Sequence, residues 1–396
     1  MSQMKKDWKV SISTLNCGKI SPLENSINVE RIIQHLIPAL KKNKDGSHLI
    51  AADIYAFGFQ ELSMIWEGSL PTVMQSYNDI LSKTIIKVLN ERFRKDSIEY
   101  SLVGSDYVGA TSLVVVCRNS LHIEKVWRSR TKCGMFGSNL KGGVGLGLAL
   151  SRDEDEGDND TFIFVCSHLN ANEGYENMQK RCADFTTIIN NCDRDFKEIL
   201  EYNKDGHYFF FGDMNFRVNG WEHINTNYND LNTIETLATK YDELQEVLKS
   251  VDSFKRFDEA EITFPPTYKY EIIGDKNKFN KKRSPSWCDR VLFKKYNGKP
   301  RIISYHSIER TQDLQFTDHQ GVNLTIEVGQ SSTISSPLQQ LLQSLEATER
   351  GSISVLAEQT IDTIDWIVGY VAWFMHYKAH YWIGGAIILL IIYYLL

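Results

Sequence analysis

The sequence predicts an α/β fold, and three observations carry that expectation. Seven short β-rich runs recur, at 9–15, 53–59, 111–117, 161–167, 207–211, 290–293 and 322–328. Longer stretches with helical spacing fall between some of them, at 29–41, 73–94 and 177–200. Polar residues able to hold a metal or a phosphate close several strand-like runs: Asn16, Glu61, His168, Asp213 with Asn215, and Asp318 with His319. Strand ends and the loops after them are where α/β folds gather active sites. Taken singly, each of these residues reads as an ordinary solvated group.

Along the chain, the first ten residues carry Lys5, Lys6 and Asp7 and lack the apolar centre of a signal peptide. Residues 8–328 read as one catalytic α/β unit. Within it, the mostly acidic block 152–160 separates two strand-like runs and reads as a solvated hairpin tip. Residues 329–337 are rich in Ser, Thr and Gln, and open a linker that extends to 363. Inside that linker Leu338, Leu341, Leu342 and Leu345 share one side of an amphipathic helix.

Residues 364–396 read as a hydrophobic membrane anchor, with 381–396 as its core span of 16 uncharged residues. At helical rise the span measures about 24 Å, a little short of the roughly 27 Å core of an endoplasmic-reticulum bilayer. A buried core helix is the ordinary alternative for a run of this length. Trp366, Trp373, Tyr381 and Trp382 suit a membrane interface. The expectation is a single-pass anchor in the endoplasmic reticulum membrane with the catalytic unit in the cytosol.

Composition narrows the function. Forty-four basic residues against 50 acidic ones leave a net charge of −6, which argues against a general nucleic-acid binder. An anionic ligand would need basic residues concentrated locally. Seven cysteines, odd in number and without a CxxC pair, suggest neither a disulfide framework nor a zinc site.

Two segments are sharper than the rest. In HYFFFGDMNFRV (207–218) a hydrophobic strand runs into Gly212, after which Asp213, Asn215 and Arg217 alternate. Period-two spacing would put a carboxylate, an amide and a guanidinium on one face, a set suited to a phosphate ester. In RSPSWCDRVLF (283–293) a Pro–Ser turn and a large Trp precede Asp289 and Arg290.

GDMNFR together with PSWCDRVLF resembles the two signature motifs of the inositol-polyphosphate 5-phosphatases, members of the DNase I-like endonuclease and phosphatase superfamily. GFQE (58–61), HLNA (168–171), FPPTYK (264–269) and TDH (317–319) follow in that family's order. With the C-terminal anchor, the pattern looks closest to fungal tail-anchored phosphatidylinositol 4,5-bisphosphate 5-phosphatases. The resemblance implies a four-layer α/β/β/α sandwich of two packed sheets flanked by helices. It implies Mg²⁺ held by Glu61 and Asn16, and Asp213 orienting or deprotonating the attacking water. Asn215 and His168 would hydrogen-bond the scissile phosphate, His319 would contact it with its ring oriented by Asp289, and Asp318 would lie near the metal. Arg217 would act as a charge clamp. Tyr268, Lys269, Lys282, Arg283 and Arg290 would bind substrate, and Lys141 would reach a phosphate nearer the membrane.

The chain departs from the family at Leu15–Asn16–Cys17–Gly18 and at Leu140–Lys141–Gly142–Gly143, and neither change removes a ligand. Cys288 lacks the phosphate-cradling loop of a cysteine phosphatase and reads as a packed thiol. Met135 and Phe136, apolar between glycines, suit either dipping into a bilayer or a buried hairpin. The expected partner is a membrane phosphoinositide, not nucleic acid. The competing readings are another DNase I-like phosphodiesterase, such as a nuclease or sphingomyelinase, and a non-catalytic phosphoinositide-binding adaptor.

Overall fold

A computed structural model describes residues 7–19, 28–38, 51–134, 137–152, 159–203, 205–220, 226–280, 282–298, 300–330, 363, 365–367, 369–376, 381 and 385. Among them, strands β1 (Trp8–Asn16), β2 (Ile54–Gln60), β3 (Tyr100–Val108), β4 (Thr111–Arg118), β5 (His122–Lys132) and β6 (Gly142–Ser151) precede β7 (Asp160–His168) and β8 (His207–Asp213). β9 (Phe257–Glu259), β10 (Asp289–Lys294), β11 (Arg301–Ser307) and β12 (Val322–Val328) complete the set. They form two six-stranded sheets, ordered β11-β12-β1-β2-β4-β3 and β5-β6-β7-β8-β10-β9. Each sheet has one parallel pair at its centre, β1 with β2 and β7 with β8, and antiparallel neighbours outside it.

Side-chain alternation makes the layers. In β8, Phe209 and Phe211 join Val10, Ile12, Leu146 and Phe164 in a core between the two sheets. Tyr208 and Phe210, one residue out of phase, turn to the other face and pack on Phe185 and Ile188 of helix α4 (Tyr175–Asp195). The first sheet does the same: Tyr55, Phe57 and Phe59 pack on α1 (Val29–Leu36) and on α3 (Pro71–Phe93), which follows the short α2 (Ile65–Gly68). Helices α5 (Lys197–Tyr202), α6 (Leu231–Lys240) and α7 (Glu243–Ser250) complete the chain order. The result is two packed mixed sheets flanked by helices.

Local signals set the helix starts. Asn28 accepts a hydrogen bond from the Arg31 N–H, Asp230 accepts from Thr233, and Pro71 occupies the first turn of α3. The stretch expected as one helix over 177–200 divides at Phe196 into α4 and α5.

Among the described residues no helix is long and apolar enough to cross a membrane. The expected core span 381–396, apart from residues 381 and 385, lies outside the described residues, as do Met135, Phe136, the tip at 153–158 and the amphipathic segment of the linker. Part of the stretch expected in the membrane is described: residues 365–367 and 369–376 are helical and lie against the α/β unit, with the Asp365 carboxylate 2.6 Å from Lys132 Nζ.

Candidate active site

The strand register builds the site. Across the second sheet Gly142 lies opposite His168, His168 opposite Asp213, and Asp213 opposite Asp289. Directly opposed residues share a face at about 5 Å, so three polar side chains from β7, β8 and β10 stand in one row. In the first sheet Asn16 pairs with Gln60, and Glu61 follows at once. Both rows end at the same edge of the sandwich, where Asn16 Nδ2 donates to Asp213 Oδ2 at 2.8 Å.

Backbone geometry at this edge is unusual. Glu61 and Asn215 take positive φ, 46° and 57°, a region that side chains other than glycine enter at some cost. Gly212 has φ 130°, and a Cβ there would fall 2.1 Å from the Ser167 carbonyl oxygen, so only glycine brings β8 this close to β7 just before Asp213.

Asp213 is the hub. Its Oδ2 lies 3.4 Å from His168 Nε2 and 3.9 Å from His319 Nε2, and its Oδ1 accepts the Asn215 N–H at 3.0 Å. Burial pushes its carboxyl up, but the His168 hydrogen bond and the charges of His319, His168 and Lys141 hold it well below the usual range. It stays ionised. Burial opposes charge on His319, yet Asp289, 2.9 Å from Nδ1, together with Asp213 and Asp318, raises the imidazole to about 9. Asp289 is fixed in turn by the Thr267 hydroxyl at 2.7 Å, while its Oδ1 has no hydrogen-bond partner among the described residues. Burial, then the Lys141 charge, lowers His168 against the pull of Asp213 and Glu61.

The other expected residues distribute as follows. Glu61 lies 3.8 Å from His168 Nε2 and is the more open member of the cluster, its side chain 23% exposed. Asn215 donates one side-chain N–H to the Leu169 carbonyl and accepts from Arg217 through its Oδ1, which fixes its side chain beside Asp213. Arg217 stacks 4.8 Å over the Tyr268 ring. Lys269 Nζ reaches the Asp318 carboxylate at 2.6 Å. Lys282 and Arg283 are exposed, and Arg283 approaches Asn172 in the loop after His168. Lys141, expected to reach a phosphate nearer the membrane, contacts His168 Nε2 inside the cluster. Burial lowers its ammonium against the pull of Asp213 and Glu61.

Arg290 is corrected outright. It is fully buried, pairs with Asp242 at 2.9 Å and with Glu259, and so holds the fold. Alternation along β10 sends it to the opposite face from Asp289. Cys288 is likewise buried, its thiol pushed well up by desolvation, in keeping with a packed thiol.

Three residues that shape the site carry no sequence signal that singles them out. Thr267 positions Asp289, and it sat within FPPTYK. Asp184 accepts the Asn170 N–H at 2.9 Å and its acidity is weakened by burial to about 6. Glu243 accepts the Arg217 N–H at 2.9 Å and pairs with the buried Arg181 at 2.6 Å. Neither acid lies near a recognisable motif.

Two donor sets could hold a cation. Asp213, Asp289 and His319 offer ligand atoms within 4.8 Å of one another, but His319 Nδ1 and Asp289 Oδ2 already bind each other. Glu61 and Asn16 offer carboxylate and amide oxygens, the chemistry a hard divalent ion takes.

Residues 13–325 match Endonuclease/Exonuclease/phosphatase family 2. The chain is 28% identical over 300 residues to phosphatidylinositol 3,4,5-trisphosphate 5-phosphatase 2A of Danio rerio, covering 72% of this chain and 21% of that protein. It is 28% identical over 286 residues to inositol-1,4,5-trisphosphate 5-phosphatase 1 of Schizosaccharomyces pombe, covering 70% and 24%. The chain thus spans about a quarter or less of the curated relatives it matches. Among solved structures, the inositol polyphosphate 5-phosphatase domain of spsynaptojanin, in complex with inositol (1,4)-bisphosphate and calcium ion, superposes with TM-score 0.54 at 22% identity over 86% of this chain and 90% of that one. The ferrous NO complex of Cimex nitrophorin superposes with TM-score 0.51 at 18% identity, over 82% and 99%. A fold shared with a nitrophorin leaves the reaction to be argued from the side chains.

Proposed function

Because the chain belongs to Endonuclease/Exonuclease/phosphatase family 2, we propose that it hydrolyses the 5-phosphate of phosphatidylinositol 4,5-bisphosphate at a cytosol-facing membrane. The observation that carries this reading is the row His168–Asp213–Asp289, completed by His319 and joined at one edge by Glu61 and Asn16.

The roles follow from charge and reach. Asp213 stays a carboxylate and orients the attacking water, with Asn16 and Asn215 fixing its two oxygens. His319, carried as imidazolium beside Asp289, offers its Nε2–H to charge growing on the phosphate oxygens. Water adds opposite the inositol oxygen, the P–O bond breaks, and inositol alcohol and inorganic phosphate leave. Mg²⁺, for which Glu61 and Asn16 are the fitting donors, would supply further positive charge at the phosphate. Lys269 and Arg283 supply the cations that a second ring phosphate needs, a demand that a nuclease or sphingomyelinase does not make.

Residues 381–396 support a location at a membrane, with the endoplasmic reticulum favoured by the short span. The test is phosphate release from phosphatidylinositol 4,5-bisphosphate in mixed micelles, with Mg²⁺ and with chelator. Release that needs the cation and vanishes in Asp213→Asn supports the reading. Binding without release would leave the adaptor.

A further inference from the structure

The helical residues 365–367 and 369–376 dock on the α/β unit with their polarity reversed. Asp365, 6% exposed, faces inward to Lys132. Gly369 also faces inward, and a Cβ there would fall 2.9 Å from Ser69 Cβ and 3.2 Å from the Trp66 carbonyl oxygen. Two turns further the His376 ring lies 5.6 Å from that of Trp66. The outward side is the apolar one. Trp366, Ile367, Tyr370, Val371, Trp373 and Met375 are each between 40% and 58% exposed. Trp366, Tyr370 and Trp373 form an aromatic ladder at i, i+4 and i+7, with ring centroids 4.8 and 6.5 Å apart. From 366 to 375 there is no charged residue. A helix in water turns its apolar stripe to the core; this one turns it away.

Its footing lies beside the site. Trp66 and Ser69 belong to α2 and the turn after it, a few residues beyond Glu61. Lys132 ends β5 opposite Gly142, the residue after Lys141. Met64 and Ile65, 44% and 52% exposed, flank Trp66 with more apolar surface.

We propose that residues 365–376 form a bilayer-contact element that holds the mouth of the site against lipid headgroups. This rests on the lipid-phosphatase reading above. Three observations select a bilayer as the occupant. The outward face is uncharged and rich in Trp and Tyr, the residues of the membrane interface. The chain continues within a few residues into the uncharged run 381–396. The element also shares its supports with the loops that carry Glu61 and Lys141. It therefore sets orientation, where a loose linker would set only local concentration.

The test uses the full chain in phosphatidylcholine vesicles containing phosphatidylinositol 4,5-bisphosphate. It compares the wild type with Trp366→Ser/Tyr370→Ser/Trp373→Ser, which makes the outer face polar, and with Gly369→Leu, which lifts the helix from its seat. Each is assayed on vesicle lipid and on the water-soluble dibutanoyl form. Both variants should keep the soluble rate within about twofold and lose at least about tenfold on vesicles. Brominated phosphatidylcholine should quench tryptophan emission in the wild type and markedly less in Gly369→Leu, which retains all its tryptophans. Equal losses on both substrates would make the helix part of the fold, and no loss on vesicles would overturn the proposal. A change of oligomeric state in detergent with vesicle activity intact would assign the face to a second copy and overturn it too. If the wild type cleaves neither substrate, the phosphatase reading fails, while the quenching difference still decides the contact.

Discussion

Asp289 and Arg290 are neighbours in β10, both fully buried, and they serve opposite ends. Arg290 gives its N–H groups to Glu259, Asp242 and the Trp287 carbonyl, so each charge in that network is answered. Asp289 faces the strand-end cluster, where one Asp213 oxygen is shared by Asn16, His168 and His319, Asp289 Oδ1 lacks a partner among the described residues, and Lys141 is pressed against His168. Burial and charge are therefore poor markers of a site. Contested partners are the better one: satisfied ion pairs hold the fold, and under-answered ones wait for a ligand.

The sharpest way to break that distinction is to alter its two halves separately. Asp213→Asn keeps the shape of the hub and removes its charge. We expect kcat to fall by about 10³–10⁴ with the circular dichroism spectrum retained. A variant that unfolds instead would make the cluster structural. Arg290→Met should do the reverse, leaving Asp242 and Glu259 buried without their cation. It should lose about 3–5 kcal/mol in urea unfolding while the folded fraction keeps KM within twofold. A stable Arg290→Met protein with raised KM would return Arg290 to the substrate.

His319 gives a test in pH. Its folded value is raised to about 9 from an ordinary 6.5, so the stability it contributes is fully present below about 6.5 and is lost as pH rises through about 9. On the order of 3 kcal/mol is at stake. Denaturant midpoints of the wild type should fall towards those of His319→Gln across that window, and kcat should decline on the alkaline side near 9. Parallel pH curves for the two proteins would sink the assignment. The smallest effect is at the rim. Lys269→Ala should raise KM for a bisphosphorylated substrate about tenfold, and change it little for one lacking the neighbouring phosphate. Equal changes for both would make Lys269 merely the partner of Asp318.

Much of this was legible in the sequence, because β-branched and aromatic runs such as 207–211 and 322–328 announce buried strands. β6 was not. Its glycines at 143, 145 and 147 erase the hydrophobic pattern, and the structure gives the reason: a Cβ at those positions would meet Ile188, Phe196 or Ile199, so the helical layer packs directly on the strand backbone. β5 was hidden by its half-exposed charged residues. The site motifs named the catalytic edge, yet they could not say that Arg290 finds Asp242, 48 residues away, or that Lys141 folds inward onto His168. Those facts depend on long-range pairing, which local pattern does not encode. The helix at 365–376 was hidden for a related reason: apolar residues read alike whether they face lipid, core or water.

The most direct test of the central claim is positional analysis of the products when the full chain acts on phosphatidylinositol 4,5-bisphosphate. Inorganic phosphate and phosphatidylinositol 4-phosphate are expected from the wild type, and neither from Asp213→Asn. Release from another ring position, cleavage of the phosphodiester, or equal turnover by both proteins would contradict it.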